Sequence, residues 1–444
     1  MLIGFSVKNF RSIRDEAFLS LEASNYYKEN RQSLIGSKIL GLSGTNILPT
    51  AAIYGANASG KTTLLAALQQ MRAAVLSLAG PDNNPIARYQ PFLLDNKALS
   101  MPTVFSIEFA IPQDFDEGSD ASNADSDAPL ARYTYTFSYS ATEGIVDEKL
   151  VGYLTRLPRT FFLRHKNEDG STRLEGSSSF PISSTARELI GSDTLVLSFY
   201  RQAGSAKATQ VARRICDWFQ SGLFVMDNST GAFEPYSAEI LDGERGSDYQ
   251  RAFIKNLMRH ADTGISDVDV RHVKNDIPPE LAGLLSEDFK RAAVTSDLRQ
   301  VRFVHQGMGE QTNIPESTGT QRLFVLSGHI ANALESGATL AVDEIDSSLH
   351  PDLANEIISL FLRKETNPRG AQLIFTAQNT ALMDNDLMRR DEFWFTRKDE
   401  MGATELYPLS DFKVQGRESI QAGYRAGKYA GIPNVTPGFG LSAD

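Results

Sequence analysis

The chain has 444 residues, of which 44 are basic and 55 acidic, so its net charge is −11. This balance gives no general argument for a nucleic-acid-binding protein, although it leaves local basic patches open. The single cysteine, Cys216, excludes an internal disulfide and a cysteine zinc site, and it suits a reducing compartment. No apolar run approaches the roughly 20 residues that span a bilayer, and no signal sequence is evident. We therefore expect a soluble, cytoplasmic protein without a membrane partner.

The N-terminal part of the chain predicts β-strands. Leu2–Phe10 and Ala17–Leu21 alternate between apolar and polar residues, as in two antiparallel strands. Thr103–Ala110 and Arg132–Ser140 alternate in the same way, and the second of them is rich in aromatic residues. The acidic run Gln113–Ala128 between them is predicted to be an exposed hairpin loop, because it has almost no apolar residues to bury.

The strongest motif is Gly55–Thr62, G-A-N-A-S-G-K-T, which matches the phosphate-loop pattern G-x-x-x-x-G-K-[ST] at every fixed position. The apolar run Thr50–Tyr54 before it predicts a strand, and Thr62–Met71 after it is rich in helix formers. Backbone N–H groups and the helix N-terminus would surround a phosphate. The motif predicts that Lys61 reaches the β- and γ-phosphates and that Thr62 holds Mg²⁺. A glycine-containing turn that binds nothing is the weaker alternative.

The middle of the chain, from about residue 183 to 298, is predicted to be largely helical. Thr209–Ser221 and Asp248–His260 carry apolar residues at spacings of three and four, without sustained heptads that would indicate a long coiled coil. The pair Asp267-Val-Asp269 resembles a metal-binding D-x-D. We favour a structural role, because Ile265–Val273 alternates like a strand.

The last third alternates strands with helices, which indicates an α/β fold with a largely parallel sheet covered on both faces. An apolar helix is predicted from the S-T-G-T region after Glu316 to about Leu334, and a second one ends near Arg363. The predicted strands are Val301–His305, Thr339–Val342, Gln372–Thr376, Arg389–Thr396 and Ala403–Leu409.

Two acids follow the apolar strand Thr339–Val342 directly. Asp343, at the end of a strand beside the phosphate loop, can hold Mg²⁺ together with Thr62. Glu344 is the natural general base for a water that attacks the γ-phosphate. The alternative is that both acids merely cap a strand or the next helix.

Four features together resemble the ABC-type ATPase heads of the SMC, RecF and OLD group. They are N-F-R-S at Asn9–Ser12, the phosphate loop, Ser317-x-Gly319, and Asp343-Glu344 followed by S-S-L-H. The chain is more closely similar to the bacterial RloA or AbiL-type abortive-infection ATPases, which are classed with AAA-family ATP-binding proteins. The stretches that carry this similarity are A-A-I-Y-G-A-N-A-S-G-K-T-T, D-E-I-D-S-S-L-H-P, A-Q-L-I-F-T, R-R-D-E-F-W-F-T-R-K-D, G-A-T-E-L-Y-P-L-S-D-F-K and G-Y-R-A-G-K-Y-A-G-I-P.

The resemblance implies an ABC-type P-loop ATPase head with an antiparallel β subdomain and a helical insertion. Residues 1–165 would form the N-terminal ATPase lobe, with the Walker A loop and the β subdomain. Residues 166–300 would form a mainly helical insertion. Residues 301–444 would form the C-terminal lobe, with the signature, Walker B, D-loop and tail.

The resemblance also implies that ATP and Mg²⁺ bind at a site shared by two copies of the chain. The implied metal residues are Thr62, Asp343 and Gln90, although a surface polar residue explains Gln90 equally well. The residues implied to bind nucleotide are Gly55, Asn57, Ala58, Ser59, Gly60, Lys61, Thr62, Thr63, Arg11 and Ser12. Those implied to act from the second copy are Ser317, Gly319, Thr320, Ser348 and His350.

The catalytic residues implied are Lys61, Glu344 and Gln378, and the last of them departs from the family pattern. A switch histidine follows the strand Q-L-I-F-T in the family, whereas this chain has Gln378 there. Glutamine can donate a hydrogen bond to the γ-phosphate, but it cannot accept and return a proton as imidazole can. We therefore expect ATP binding with slow hydrolysis.

The leading functional hypothesis is an ATPase that dimerises, or forms a higher oligomer, around ATP and gates a partner effector in bacterial anti-phage defence. The resemblance implies an RloB-like, Toprim-type nuclease as this partner. The sequence itself shows no nuclease constellation. One alternative is an SMC- or RecF-like head in DNA repair. Another is a slowly hydrolysing scaffold that sequesters a toxin. The tail Lys413–Ile432 is either a partner surface or an ordered cap on the core.

Overall fold

Contacts in the computed structural model divide the chain into two units. The first comprises Met1–Asn228, Ser336–Asp346 and His350–Asp444, and the second Ser229–Glu335 and Ser347–Leu349. The structure describes all residues except 37, 43, 78–89, 114–128, 203–205, 227–235, 262–263, 275–296, 306–315, 385, 415–417 and 433–444. The predicted acidic loop Gln113–Ala128 therefore lies outside the described residues, apart from its first one.

Fifteen strands are described, and all of them except β10 and β11 belong to the first unit. They are β1 (Leu2–Lys8), β2 (Ala17–Ser20), β3 (Thr50–Gly55), β4 (Thr103–Pro112), β5 (Leu130–Ser140), β6 (Gly144–Tyr153), β7 (Arg159–Lys166), β8 (Thr172–Gly176), β9 (Leu223–Met226), β10 (Ile265–Lys274), β11 (Asp297–His305), β12 (Thr339–Val342), β13 (Gln372–Thr376), β14 (Phe393–Lys398) and β15 (Thr404–Pro408).

The described α-helices are mostly short, and none of them is long and apolar enough to cross a bilayer. They are α1 (Lys61–Leu76), α2 (Asn96–Leu99), α3 (Ser184–Leu189), α4 (Val196–Gln202), α5 (Ala206–Ser221), α6 (Tyr236–Asp242), α7 (Asp248–His260), α8 (Thr318–Ser336), α9 (Pro351–Leu362) and α10 (Ile420–Arg425).

A six-stranded sheet in the order β15-β14-β3-β13-β12-β9 positions the site. All neighbours are parallel except β14 and β15. The strands β3, β12 and β13 are mostly apolar and completely buried, as expected of parallel strands covered on both faces. Because the carboxyl ends of parallel strands meet at one edge, the segments that follow these three strands come together there.

A second sheet of the first unit is antiparallel throughout, with the order β2-β1-β4-β5-β6-β7-β8. Its strands β4 and β5 alternate between buried and half-buried residues over most of their length, because one face packs on helices. Phe109 of β4 stacks on Trp218 of α5, with ring centroids 4.2 Å apart. Helix α1 contacts both β1 and β3, so it is buried by both sheets. The predicted combination of an α/β fold with an antiparallel β part is confirmed.

The stretch from 166 to 300 holds more β-structure than its periodicity predicts. It contributes β9 to the parallel sheet, where Leu223–Met226 pair with β12. This strand was missed because four residues are too few to show a period. The same stretch contains β10, whose predicted strand character is confirmed.

The two acids of the D-x-D pattern lie on β10 and make ion pairs. Asp269 accepts hydrogen bonds from Arg302 of β11, which hold the pKa of its carboxyl below the ordinary value. Asp267 pairs with Lys255 of α7 at 3.2 Å. The structural role of these acids is therefore confirmed.

The C-terminal tail packs on the parallel sheet as an ordered cap. Tyr429 is fully buried and stacks on Phe395 of β14, and its carbonyl accepts the hydroxyl proton of Tyr407 at 2.9 Å. Tyr424 of α10 also stacks on Phe395 and lies beside Tyr54, the residue before the phosphate loop. The structure thus confirms the cap, although Arg417 lies outside the described residues.

Glu392 is fully buried immediately before β14 and accepts the N–H of Arg389 at 2.6 Å. Burial raises the pKa of its carboxyl to about 8, from an ordinary value of 4.5. The folded state therefore binds this proton more tightly than the unfolded chain does. The stabilisation that results is complete below about pH 4.5 and is lost as the pH rises through about 8.

We therefore expect Glu392→Gln, which keeps the acceptor for the Arg389 N–H, to be more stable than the wild type above pH 8. The gain in free energy of unfolding should be about 2–4 kcal/mol near pH 9 and should shrink towards zero near pH 5. Urea unfolding of both proteins at pH 5, 7 and 9 measures the difference. A difference that does not change with pH would show that Glu392 does not titrate in this range.

Candidate functional site

The phosphate loop connects β3 to α1 and is held in a tight turn. Ala58 has a φ of 61° and Gly60 a φ of 109°, both in the left-handed region. A Cβ atom at Gly60 would lie 2.1 Å from the hydroxyl oxygen of Thr404, so no other residue fits at this position. The second glycine of the motif is therefore required both by its backbone conformation and by its close approach to β15.

Hydrogen bonds among four hydroxyl groups hold the loop against the neighbouring strands. Ser59 and Thr396 share a hydrogen bond of 2.6 Å between their hydroxyls, and the Thr404 hydroxyl donates to the Ser59 carbonyl at 2.8 Å. Ser12 lies 2.9 Å from the Thr404 hydroxyl and donates to Thr63 at 3.1 Å. Sequence reasoning identified Ser12 but missed Thr396 and Thr404. The only signal for these two was a threonine within or beside an apolar strand.

Lys61 begins α1, and its ammonium group donates to the carbonyls of Gly55 at 2.7 Å and Ala56 at 3.1 Å. Burial lowers the pKa of this lysine, and the nearby carboxylates of Glu344 and Asp343 oppose this effect. Lys61 lines a cavity of about 490 Å³. The cavity is lined by Ser12, Asn57, Ala58, Ser59, Gly60, Lys61, Thr62, Thr63, Glu344 and Gln378.

Asp343, at the end of β12, is buried and held at both carboxylate oxygens. Thr62 donates its hydroxyl proton to Oδ2 at 2.8 Å, and Thr376 donates to Oδ1 at 2.6 Å. A hydroxyl and a carboxylate side by side are the hard oxygen ligands that Mg²⁺ prefers. The described residues contain no cluster of three or more His, Cys, Asp or Glu side chains that could hold a metal by itself. The pair fits a Mg²⁺ ion that takes its remaining ligands from phosphate and water.

Glu344 and Gln378 both line the cavity and are hydrogen-bonded to each other. The Gln378 amide donates to Glu344 Oε1 at 2.6 Å. Glu344 has a φ of 49°, a left-handed conformation that is uncommon for a residue with a long side chain. Asp346 accepts the backbone N–H groups of Gln378 and Asn379 at 2.9 and 2.6 Å, so it fixes the segment after β13. Asp346 and Thr376 are supporting residues that the sequence did not reveal.

Three of the predicted residues lie elsewhere in the first unit. Arg11 donates to Gln90, side chain to side chain and backbone to backbone, both at 2.6 Å. Gln90 is therefore hydrogen-bonded to Arg11 and not to the other two predicted metal residues, Thr62 and Asp343, which are hydrogen-bonded to each other. His350 is exposed, and its Nδ1 accepts the N–H of Asp352 at 3.3 Å, so it caps α9.

The remaining predicted residues lie in the second unit. The Ser317 hydroxyl accepts the N–H of Thr320 at 3.1 Å and caps the start of α8. A Cβ atom at Gly319 would lie 2.4 Å from the carbonyl oxygen of Ser348, which itself has a φ of 62°. The start of α8 and the segment Ser347–Leu349 are therefore in direct contact, and this contact requires a glycine.

Several solved structures are similar to this chain at low identity. The SMC head domain from Thermotoga maritima is 14% identical, with a TM-score of 0.38, over 93% of this chain and 99% of that one. An SMC head bound to the C-winged helix domain of ScpA is 12% identical, with a TM-score of 0.41, over 92% and 99%. An SMC head with an extended coiled coil, bound to the C-terminal domain of ScpA from Pyrococcus furiosus, is also 12% identical, with a TM-score of 0.39, over 92% and 97%.

No curated protein matches the chain significantly. One protein-family profile matches residues 51–172 and 227–384, which together make up more than half of the chain. The first matched segment includes the phosphate loop, and the second includes Ser317, the acids that end β12, and Gln378. With its P-loop ATPase fold, the chain therefore belongs to the family described as "AAA domain, putative AbiEii toxin, Type IV TA system".

Proposed function

We propose that the protein binds Mg²⁺-ATP in the phosphate-loop cavity and hydrolyses it slowly. The observation that carries this proposal is the convergence of three groups on one cavity. Lys61 lies at the start of α1, Thr62 is hydrogen-bonded to Asp343, and Glu344 lines the same space. A turn that bound nothing would not explain why a lysine, a hydroxyl–carboxylate pair of the kind that binds Mg²⁺ and a second carboxylate come together at one cavity.

The proposed chemistry divides among these residues. The loop and Lys61 would bind the β- and γ-phosphates. Thr62 and Asp343 would hold Mg²⁺, which would neutralise charge on the phosphate oxygens. Glu344 accepts a proton from water as the water oxygen bonds to the γ-phosphorus and the bond to the ADP oxygen breaks. Gln378 holds the carboxylate of Glu344 and can donate to the γ-phosphate, but it cannot relay a proton.

We further propose that a second copy completes the site. Ser317, Gly319 and Thr320 at the start of α8, with Ser348 and His350, would contact the γ-phosphate of ATP held by the partner chain. A serine hydroxyl and backbone N–H groups at a helix start favour an anion. ATP would then stabilise a dimer or a higher oligomer, and hydrolysis would release it.

The biological role that we propose is control of a partner effector in bacterial defence against phage, in the cytoplasm. The support is the resemblance to abortive-infection ATPases, together with a family description that names a toxin–antitoxin system. In this proposal an RloB-like Toprim nuclease or another effector would supply the damaging activity.

Replacing Gln378 by histidine should raise the rate of ATP hydrolysis several-fold. Imidazole restores the ability to accept and return a proton next to Glu344, which the glutamine amide lacks. Phosphate release from Mg²⁺-ATP by the purified chain measures the rate, and we expect the wild type to turn over below about 1 s⁻¹. Gln210→His, at an exposed position of α5 in the same unit, is a matched control that should leave the rate unchanged. A Gln378→His protein no faster than the wild type would contradict the assigned role of Gln378.

A further inference from the structure

Thr376, the last residue of β13, contacts both acids that end β12 although it does not line the cavity. Its buried hydroxyl lies 2.6 Å from Asp343 Oδ1 and 2.7 Å from the backbone nitrogen of Glu344. Its carbonyl accepts the N–H of Ile345 at 3.0 Å. One threonine thus holds three consecutive residues at the end of the neighbouring strand.

The directions of these hydrogen bonds are fixed by chemistry. The N–H of Glu344 can only donate, so the Thr376 hydroxyl must accept there, and its own proton is directed to Asp343. A hydrogen bond to a carboxylate is stronger than one between neutral groups. Because Oδ1 of Asp343 is occupied in this way, Oδ2 is the oxygen that faces the Thr62 hydroxyl at 2.8 Å.

The same hydroxyl supports the backbone of Glu344. A left-handed conformation such as its φ of 49° is uncommon in a non-glycine residue and persists only where the surroundings enforce it. The bond from the Glu344 N–H to Thr376 is one such restraint. From this conformation the Glu344 side chain reaches the amide of Gln378.

We propose that Thr376 is a positioning residue for ATP hydrolysis. It determines which oxygen Asp343 offers to Mg²⁺, and it holds the backbone from which Glu344 acts as the base. This inference rests on the proposed ATPase function, and it assigns to one hydroxyl the coupling between the metal ligand and the general base.

The test compares Thr376→Val, which removes the hydroxyl at almost constant shape, with Thr376→Ser, which keeps it, in the full-length chain. Thr339→Val is the matched control. Thr339 is a fully buried threonine at the start of β12, and its hydroxyl donates to Gln372 at 3.0 Å. All variants are checked for folding by thermal unfolding. Three quantities are then measured: turnover at saturating ATP, the Mg²⁺ concentration for half-maximal turnover, and the Mg²⁺ dependence of binding of a fluorescent ATP analogue.

We expect Thr376→Val to lower turnover by about 10- to 100-fold and to raise the half-saturating Mg²⁺ concentration about tenfold. Binding of the analogue should become correspondingly less dependent on Mg²⁺. Thr376→Ser should remain within about threefold of the wild type in all three measurements, and Thr339→Val should match the wild type.

Either of two results would overturn the role of Thr376 while leaving the ATPase intact. The first is a valine variant with wild-type turnover and Mg²⁺ dependence, and the second is a serine variant as impaired as the valine variant. If the wild type binds the analogue without hydrolysing ATP, the role of Thr376 is decided by whether Thr376→Val changes the Mg²⁺ dependence of analogue binding. A wild type that neither binds nor hydrolyses ATP would refute the proposed function, and this inference with it.

Discussion

ATP turnover is expected to fall by about 100- to 1,000-fold when Glu344 is replaced by glutamine, while ATP remains bound. The side-chain amide of the new glutamine keeps an oxygen that can accept the hydrogen bond from Gln378. In the wild type this bond is 2.6 Å long, from Gln378 Nε2 to Glu344 Oε1. The backbone bond from residue 344 to Thr376 is also unaffected by the change. Glu344→Gln therefore removes the basicity of the side chain and leaves its position intact.

Phosphate release and binding of a fluorescent ATP analogue, measured on the same preparation, separate these two effects. Glu356→Gln is the control, because Glu356 is an exposed glutamate of α9 whose partner is the surface residue Arg363. If Glu344→Gln hydrolysed ATP at the wild-type rate, another group would have to be the base. Loss of binding together with turnover would instead indicate that Glu344 holds the nucleotide or the fold.

Replacing Lys61 by methionine should weaken ATP binding by at least about 100-fold. The ammonium group is the cation of the cavity lining that can pair with the β- and γ-phosphates, and charge-assisted hydrogen bonds contribute about 1.5–3 kcal/mol each. Methionine is also unbranched and keeps most of the buried aliphatic part of the side chain at the start of α1. The loss should therefore be confined to the charge and to the bonds with Gly55 and Ala56.

Titration of the fluorescent analogue into Lys61→Met and into Lys149→Met measures this loss. Lys149 lies exposed on β6 of the antiparallel sheet, so its replacement should leave affinity unchanged. Equal affinity of the wild type and Lys61→Met would mean that the nucleotide does not lie in the phosphate loop. If circular dichroism shows that Lys61→Met is unfolded, Lys61→Arg is measured instead. Arginine keeps the positive charge but spreads it over a planar guanidinium group.

The parts of the site predicted from sequence are those whose chemistry is local. A glycine loop between a strand and a helix needs fixed residues at fixed spacing, so the sequence alone predicts the phosphate loop Gly55–Thr62. Asp343 and Glu344 could be predicted as site residues because they directly follow an apolar strand. In the structure the side chains of Thr62 and Asp343, 281 residues apart, are hydrogen-bonded at 2.8 Å.

The parts that the sequence did not reveal depend on contacts between distant strands. Thr376 and Thr396 are ordinary β-branched residues of buried strands, and only the sheet order places their hydroxyls against Asp343 and Ser59. Thr404 supports Gly60 from an antiparallel edge strand in the same way. Nothing in the local pattern distinguishes such a threonine from one that only packs.

The mass of Glu344→Gln in solution tests most directly the claim that ATP completes a site shared by two copies. Light scattering should give the 48.8 kDa of one chain without nucleotide, and at least about twice this mass with saturating Mg²⁺-ATP. The double variant Lys61→Met, Glu344→Gln should stay at the mass of one chain under both conditions. A Glu344→Gln protein that binds ATP and still has the mass of one chain would contradict the shared site.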